Sequence, residues 1–140
     1  MKIRLDYADN LHFKAAARNF NNIPLDEPKS FHGTDKGPSS VEYLLIGIGG
    51  CLGSTFVHCL RKYDISLKKL EIIVDGNLKH IGPNMRLKLI NVKVSFQYLV
   101  EKGASKEDLE KCTTIFKEHC VILEPLLKGI PIKLEFSLFR

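Results

Sequence analysis

An apolar stretch near the centre of the chain restricts the fold more than any other feature. Nearly every residue of the segment Tyr43–Cys59 is apolar or small, and a helix that is apolar on all sides is normally buried. Ser39 or Ser40 can cap the start of this helix, and Glu42 falls in its first turn, where the helix dipole favours a carboxylate. We therefore predict a long buried helix over residues 40–63.

Four glycines lie inside this predicted helix, at Gly47, Gly49, Gly50 and Gly53. Each glycine in a helix interior costs about 1 kcal/mol relative to alanine, so their presence calls for a structural reason. A glycine lets another backbone approach closely because it has no Cβ atom. We therefore expect a second backbone against this helix, such as the same helix of a second subunit.

Alternating apolar and polar residues predict strands before and after the helix. In the N-terminal part, Ile3–Tyr7 and Leu11–Ala15 predict a half-buried hairpin, and Ile23–Leu25 predicts an edge strand because its proline cannot donate to a sheet. After the helix, the predicted elements are a hairpin of Leu67–Leu78 and Arg86–Val100, a helix capped by Ser105 that ends near Cys120, a helical turn closed by Gly129, and a last strand over Ile130–Leu138. This order predicts an α+β fold in a single domain of residues 1–140.

Composition and charge exclude several classes of protein. Apolar residues make up 44% and charged residues 26% of the 140 residues, as in ordinary globular domains. The net charge of +5 is spread along the chain, which allows an anionic ligand but does not argue for nucleic acid. No apolar run approaches the roughly 18 residues of a membrane span, and the N-terminus lacks the apolar region of a signal peptide. We therefore expect a cytoplasmic protein that binds neither nucleic acid nor membrane.

Cysteine is the only residue type whose arrangement suggests chemistry. The chain has four, at Cys51, Cys59, Cys112 and Cys120, and in a reducing cytoplasm all should be thiols. Cys51 can be a small core residue or a nucleophilic thiolate. The thiolate would need help from elsewhere in the fold, because Cys51 lies about three turns from the start of the helix. The dipeptides His58-Cys59 and His119-Cys120 lack zinc-ligand spacing, so we expect no metal site.

Two segments resemble the OsmC/Ohr family, the osmotically induced and organic-hydroperoxide-resistance proteins. In the first, Gly37-Pro38-Ser39 precedes Val41-Glu42-Tyr43-Leu44-Leu45 and then Gly49-Gly50-Cys51. The second is His119–Gly129, which contains Cys120 and precedes the last predicted strand. The order of predicted elements fits the family across nearly the whole chain, and the pattern is closer to its less characterised OsmC-like branch.

The resemblance implies a fold, a partner and a chemistry. The implied fold has antiparallel sheets wrapped around a long buried central helix, in an intertwined homodimer whose two subunits shape each active site. The implied activity is a thiol-dependent peroxidase of oxidative or osmotic stress defence that needs no cofactor. Cys51 matches the peroxidatic cysteine, whose thiolate attacks an organic hydroperoxide and becomes a sulfenic acid. Cys120 matches the resolving cysteine, which forms with Cys51 a disulfide that an external dithiol reduces.

The remaining candidate residues depart from the pattern of that family. In one branch a catalytic glutamate lies ten residues before the first cysteine, whereas Glu42 lies nine before Cys51 and points about 180° away from it on a straight helix. Arg18 is a candidate for the activating arginine only by elimination, and an exposed turn residue is the alternative. Cys59 and Cys112 match nothing functional and are expected to be core thiols.

Two further hypotheses follow from these departures. One is a non-catalytic dimer of the same fold that binds an anionic or thiol-bearing small molecule. The other is a structural homodimer in which all four cysteines are core residues.

Overall fold

The chain has the mixed strand and helix content that its sequence predicts. A computed structural model describes residues 1–139. The strands are β1 (Ile3–Asp9), β2 (His12–Ala17), β3 (Phe20–Leu25), β4 (Leu67–Ile81) and β5 (Arg86–Val100). The helices are α1 (Ser40–Lys62), α2 (Lys106–Thr114), α3 (Phe116–His119) and α4 (Leu123–Lys128). The strands form two antiparallel sheets, β1-β2-β3 and β4-β5, so the α+β class is confirmed.

The residues group into two compact units. The first contains Met1–Gly47 and Asp75–Val92, and the second contains Ile48–Val74 and the chain from Lys93 onward. Helix α1 and strands β4 and β5 each have residues in both units. The expectation that residues 1–140 form a single domain stays a prediction.

In the first unit, the three N-terminal strands form the predicted hairpin and its edge strand. Phe13 on β2 lies opposite Tyr7 on β1 and Leu25 on β3, and Pro24 lies in the edge strand. The half-buried pattern expected for β1 is wrong, because every residue of the strand is exposed and Tyr7 is 66% exposed. The apolar alternation is real, but nothing in the described part of the chain covers the apolar face of β1.

The core of the second unit consists of aromatic, aliphatic and sulfur side chains. Phe56 and Leu60 of α1 are each 1% exposed, and Cys112 of α2 is fully buried. The Phe56 ring lies 5.5 Å from the Phe96 ring and 4.9 Å from the Tyr98 ring, measured between centroids. These aromatic contacts hold the second half of α1 against β5.

Helix α1 has the predicted bounds to within one residue, but only one of its faces is buried. Gly49 and Gly53 belong to that buried face, and a Cβ atom on Gly49 would lie 2.7 Å from Cγ2 of Val74. Side chains of β4, rather than a second backbone, therefore explain these two glycines. The expectation of a helix buried on all sides is wrong for the single chain.

The other face of α1 is apolar and open. A Cβ atom on Gly47 or Gly50 would meet nothing within 4 Å, and Leu44 and Ile46 are 45% and 58% exposed. By length and composition alone α1 could cross a membrane, although core helices of other folds pass the same test. The apolar surface of this helix thus exceeds what the described chain covers.

The C-terminal elements match the sequence except for the last one. Ser105 caps α2 by accepting a hydrogen bond from the Asp108 N–H at 3.3 Å, and Gly129 follows α4 with a φ of 82°. The strand predicted over Ile130–Leu138 is wrong: the segment has no strand structure, and Phe136 is 93% exposed. Apolar alternation becomes a strand only where another backbone supplies hydrogen bonds, and no described strand pairs with this segment.

Candidate dithiol site

Two free cysteines lie in contact in the second unit. The Sγ atoms of Cys51 and Cys120 are 3.4 Å apart, a sulfur hydrogen-bond distance, although the residues are 69 positions apart in the sequence. Cys51 lies near the middle of α1, whereas Cys120 directly follows α3 and donates its N–H to the Phe116 carbonyl at 2.9 Å. At this separation the two sulfur atoms are in contact but not bonded, since a disulfide S–S bond is about 2.05 Å long.

The two thiols differ in accessibility. Cys120 is buried, with 5% of its surface exposed, whereas Cys51 is partly exposed. The Thr55 hydroxyl, one turn further along α1, donates to the Cys51 carbonyl at 3.0 Å. A small molecule therefore reaches the pair more easily at Cys51.

The two thiols also differ in acidity. Burial, and next the hydrogen bond with Cys120, raise the pKa of Cys51. Burial also opposes ionisation of Cys120, but hydrogen bonds from the Ile122 N–H, the Cys51 thiol and the Leu123 N–H outweigh it and lower the pKa of Cys120. Of the two thiols, Cys120 therefore loses its proton more readily than Cys51. Burial and hydrogen bonds, rather than a cation, set both pKa values.

Glu42 is engaged in capping α1. Its carboxylate accepts a hydrogen bond from the Ser39 N–H at 2.7 Å, and its own N–H donates to the Ser39 hydroxyl at 3.3 Å. These reciprocal bonds form a capping box and lower the pKa of Glu42. Of the two serines considered, Ser39 is therefore the cap. A catalytic role for Glu42 stays a prediction.

Arg18 is an exposed turn residue, which is the alternative that the sequence analysis gave to a role as the activating arginine. It has a φ of 54°, in the turn between β2 and β3, and its guanidinium lies 5.4 Å from the centroid of the Phe20 ring. The cation is therefore engaged with an aromatic ring within its own sheet.

Sequence reasoning missed Asp26, which organises the loop before α1. Its side chain is fully buried, and its carboxylate accepts hydrogen bonds from the N–H groups of Glu27, Thr34 and Lys36 and from the Thr34 hydroxyl. Burial raises the pKa of Asp26, but these hydrogen bonds prevail and lower it to about 2. The loop also passes so close to Glu27 that a Cβ atom on Gly33 would overlap its carbonyl. An acidic residue just before a loop rich in glycine and proline was the available signal.

Cys59 and Cys112 form a disulfide, which corrects the expectation that both are thiols. Their Cα atoms are 5.5 Å apart, and the residues are 3% and 0% exposed. The expectation that both lie in the core is confirmed. Spacing alone could not identify this pair, because residues 53 positions apart meet only through the packing of α2 on α1.

No group of three metal-ligating side chains occurs among the described residues. His58 and His119, the histidines of the two His-Cys dipeptides, instead line one cavity together with Cys59.

Comparison with known proteins identifies a family and a fold. A family model described as OsmC-like protein matches residues 33–135. An OsmC-like protein from Mycoplasma pneumoniae has the same fold, with a TM-score of 0.73 at 20% identity over 92% of this chain and 87% of that one. No curated protein matches the sequence significantly.

Two similar structures carry functional descriptions. One, from Legionella pneumophila, is described as an organic hydroperoxide resistance protein and predicted redox protein; its TM-score is 0.58 at 16% identity, over 86% of this chain and 83% of that one. The other, from Vibrio cholerae, is provisionally described as an organic hydroperoxide resistance protein and holds captopril in one of its active sites. Its TM-score is 0.51 at 14% identity, over 86% of this chain and 80% of that one.

Proposed function

Because the chain belongs to the OsmC-like protein family, we propose that it is a thiol-dependent peroxidase that reduces organic hydroperoxides. The family and its hydroperoxide-resistance neighbours support a redox-related role. The observation that carries the narrower proposal is the contact of two free thiols, Cys51 and Cys120, at 3.4 Å. Such a pair can reduce a peroxide by two electrons and store the oxidation as a disulfide.

In the proposed cycle, Cys51 is the peroxidatic residue because it is the more accessible thiol. Its sulfur attacks the terminal oxygen of the hydroperoxide, the O–O bond breaks, and the alcohol leaves with the thiol proton. Cys51 keeps the hydroxyl group as a sulfenic acid. Cys120 assists by accepting the S–H hydrogen bond, which its lowered pKa favours.

The second half of the cycle uses Cys120 as the resolving residue. Its sulfur displaces the hydroxyl of the sulfenic acid as water, and an S–S bond forms with Cys51. An external dithiol then reduces this bond through a mixed disulfide and restores both thiols. No cofactor takes part, and we propose a cytoplasmic location, where dithiol reductants are supplied, and a role in oxidative or osmotic stress defence.

The surroundings of the thiols favour an organic rather than an inorganic peroxide. Burial raises the pKa of Cys51, and backbone N–H groups of Ile122 and Val121 offset part of this rise, so they can stabilise negative charge at its sulfur. The side chain of Val121 is 81% exposed beside Cys120, so it offers apolar contact to the organic part of a substrate.

We also propose that the active form is a homodimer. The open face of α1, with Gly47 and Gly50, can accept a second backbone, and the exposed alternating segment Ile130–Leu138 can pair as a strand with a second copy. Sedimentation of the wild type should give the mass of a dimer. Gly50→Leu should shift it toward the monomer, whereas Lys106→Leu, an exposed control on α2, should not. A monomeric wild type would contradict this assembly.

A second candidate function is binding without catalysis. The raised pKa of Cys51 favours it, because no cation activates the thiol, and a similar structure holds captopril, a thiol that carries a carboxylate. The chain would then bind an anionic or thiol-bearing small molecule next to Cys51.

Consumption of cumene hydroperoxide by the reduced protein separates the two functions. We expect turnover in the wild type with a dithiol reductant, its loss in Cys51→Ser, and a single stoichiometric reaction in Cys120→Ser. A sulfenic-acid probe should label Cys51 in the Cys120→Ser variant, and mass mapping of the oxidised wild type should find a Cys51–Cys120 disulfide. Consumption no faster than that of the Cys51→Ser variant would reject the peroxidase and leave ligand binding.

A further inference from the structure

A cavity of about 400 Å³ lies in the second unit, between the end of α1 and the helices α2 and α3. The histidines of both His-Cys dipeptides, His58 and His119, line it, and so do the lysines Lys62 and Lys111. Its other lining residues are Cys59, Tyr63, Thr114 and Ile115. The volume is within the range of small-molecule sites, roughly 300–1,000 Å³.

The charged and titratable side chains that line this cavity are basic, apart from the Tyr63 hydroxyl. The two ammonium groups lie on the Tyr63 ring, with Lys62 Nζ at 5.9 Å and Lys111 Nζ at 5.5 Å from its centroid. Lys111 also forms ion pairs with Glu107 at 3.0 Å and Asp108 at 3.1 Å, so carboxylates already compensate its charge. Lys62 pairs with no carboxylate in the described part of the chain. Two imidazoles and two ammonium groups, all on exposed residues, therefore line the cavity, and one of the ammonium groups has no carboxylate partner among the described residues.

We propose that this cavity binds a small organic anion, with a phosphate or carboxylate head and a short apolar body. Lys62 provides a charge that no carboxylate of the described residues pairs, and the imidazoles of His58 and His119 can donate N–H hydrogen bonds to the anion. The Tyr63 ring and the Ile115 side chain offer contact to the apolar body. The proposal does not rest on the peroxidase function, because neither Cys51 nor Cys120 lines the cavity.

A metal ion is a poorer occupant than an anion. Two imidazoles without a third ligating side chain are too few for a zinc site, and two neighbouring ammonium groups would repel a cation. The cavity wall is also held in place covalently, because the Cys59–Cys112 disulfide joins α1 to α2 directly behind it. A site with fixed walls loses less conformational freedom when a ligand binds.

Binding of phenyl phosphate and benzoate, measured by calorimetry in a phosphate-free buffer, tests the proposal. At least one of them should bind the wild type with a dissociation constant of about 1 mM or tighter. The neutral control phenol should bind at least tenfold more weakly. The Cys51→Ser variant should bind as the wild type does, which separates this site from the dithiol.

Variants locate the anion. Lys62→Gln should weaken binding roughly three- to tenfold, as expected for one partly exposed cation, and Lys62→Arg should retain it. Lys69→Gln, an exposed lysine on β4, is the control for net charge. In NMR spectra the ring signals of His58 and His119 should move on titration, whereas those of His80 should not. The proposal would be overturned if Lys62→Gln and Lys69→Gln weakened binding equally, or if the histidine signals did not move. It would also be overturned if neither ligand bound at a concentration ten times the expected dissociation constant.

Discussion

Removal of the Cys59–Cys112 disulfide should destabilise the protein severely. The bond closes a loop of 53 residues between α1 and α2. In the chain-entropy description, a loop of that length restricts the unfolded chain by about 4 kcal/mol at 25 °C. Whole domains are stable by only about 5–15 kcal/mol, so the loss is a large fraction of the total.

The perturbation should preserve the core as far as possible. Both cysteines are almost fully buried, so serine would place a hydroxyl group among aromatic side chains, and the double variant Cys59→Ala/Cys112→Ala is preferable. Reduction of the wild type by a phosphine under denaturing conditions, followed by refolding, gives the same change without a substitution. The Cys51→Ala/Cys120→Ala variant is the matched control, since it makes the same substitutions at two other cysteines and leaves the disulfide intact.

Urea unfolding followed by circular dichroism measures the effect. With a slope of about 2 kcal/mol per molar urea, a loss of about 4 kcal/mol lowers the midpoint by about 2 M. The control variant should shift it by much less. Each protein should be measured at several concentrations, because dimer formation would also stabilise the folded chain. Equal midpoints for the oxidised protein and the double alanine variant would refute the reasoning.

Three further perturbations test the packing, the loop and the helix cap. Gly49→Ala should destabilise the chain by about 1–3 kcal/mol because its Cβ atom would crowd β4. Gly50→Ala, on the open face of α1, should instead stabilise an unassociated chain by up to about 1 kcal/mol. Denaturant unfolding measures both effects. Stability contributed by the Asp26 carboxylate should be complete above its unfolded pKa near 3.8 and lost as the pH falls through about 2. The gap in melting temperature between the wild type and Asp26→Asn should therefore close at low pH, and a constant gap would contradict this. Ser39→Ala should cost about 1 kcal/mol through loss of the cap, and Ser40→Ala should cost less in the same unfolding assay.

Local patterns predicted most of the elements because those elements depend on neighbouring residues. Alternation predicted β1, β2 and β5, and serine caps predicted the starts of α1 and α2. The contact of Cys51 with Cys120 came from a family resemblance, since no local rule brings these residues together.

The remaining errors concern what lies across from a residue rather than beside it. An apolar pattern shows that a surface avoids water but not what covers it, so β1 was expected to be half-buried and Ile130–Leu138 to be a strand, whereas both are exposed. The open face of α1 was expected to meet a second backbone, and nothing in the described part of the chain covers it. The partner of Cys59 was hidden for the same reason, because it depends on how α2 packs on α1. Asp26 was missed because its partners are backbone N–H groups, which no side-chain motif records.

The Cys59–Cys112 disulfide and the Cys51–Cys120 dithiol are linked by two chain segments of equal length. Cys51 and Cys59 are eight positions apart, and so are Cys112 and Cys120. Cys59 is bonded to Cys112, and Cys51 contacts Cys120. From the disulfide, the same number of residues therefore leads to Cys51 along one segment and to Cys120 along the other. Cys51 and Cys59 both lie in α1, so an insertion or deletion of one residue between them would rotate the Cys51 thiol by about 100° relative to Cys59 and leave both disulfide cysteines in place. A change of length there would therefore leave the disulfide-bonded core folded but remove the contact between the Cys51 and Cys120 thiols.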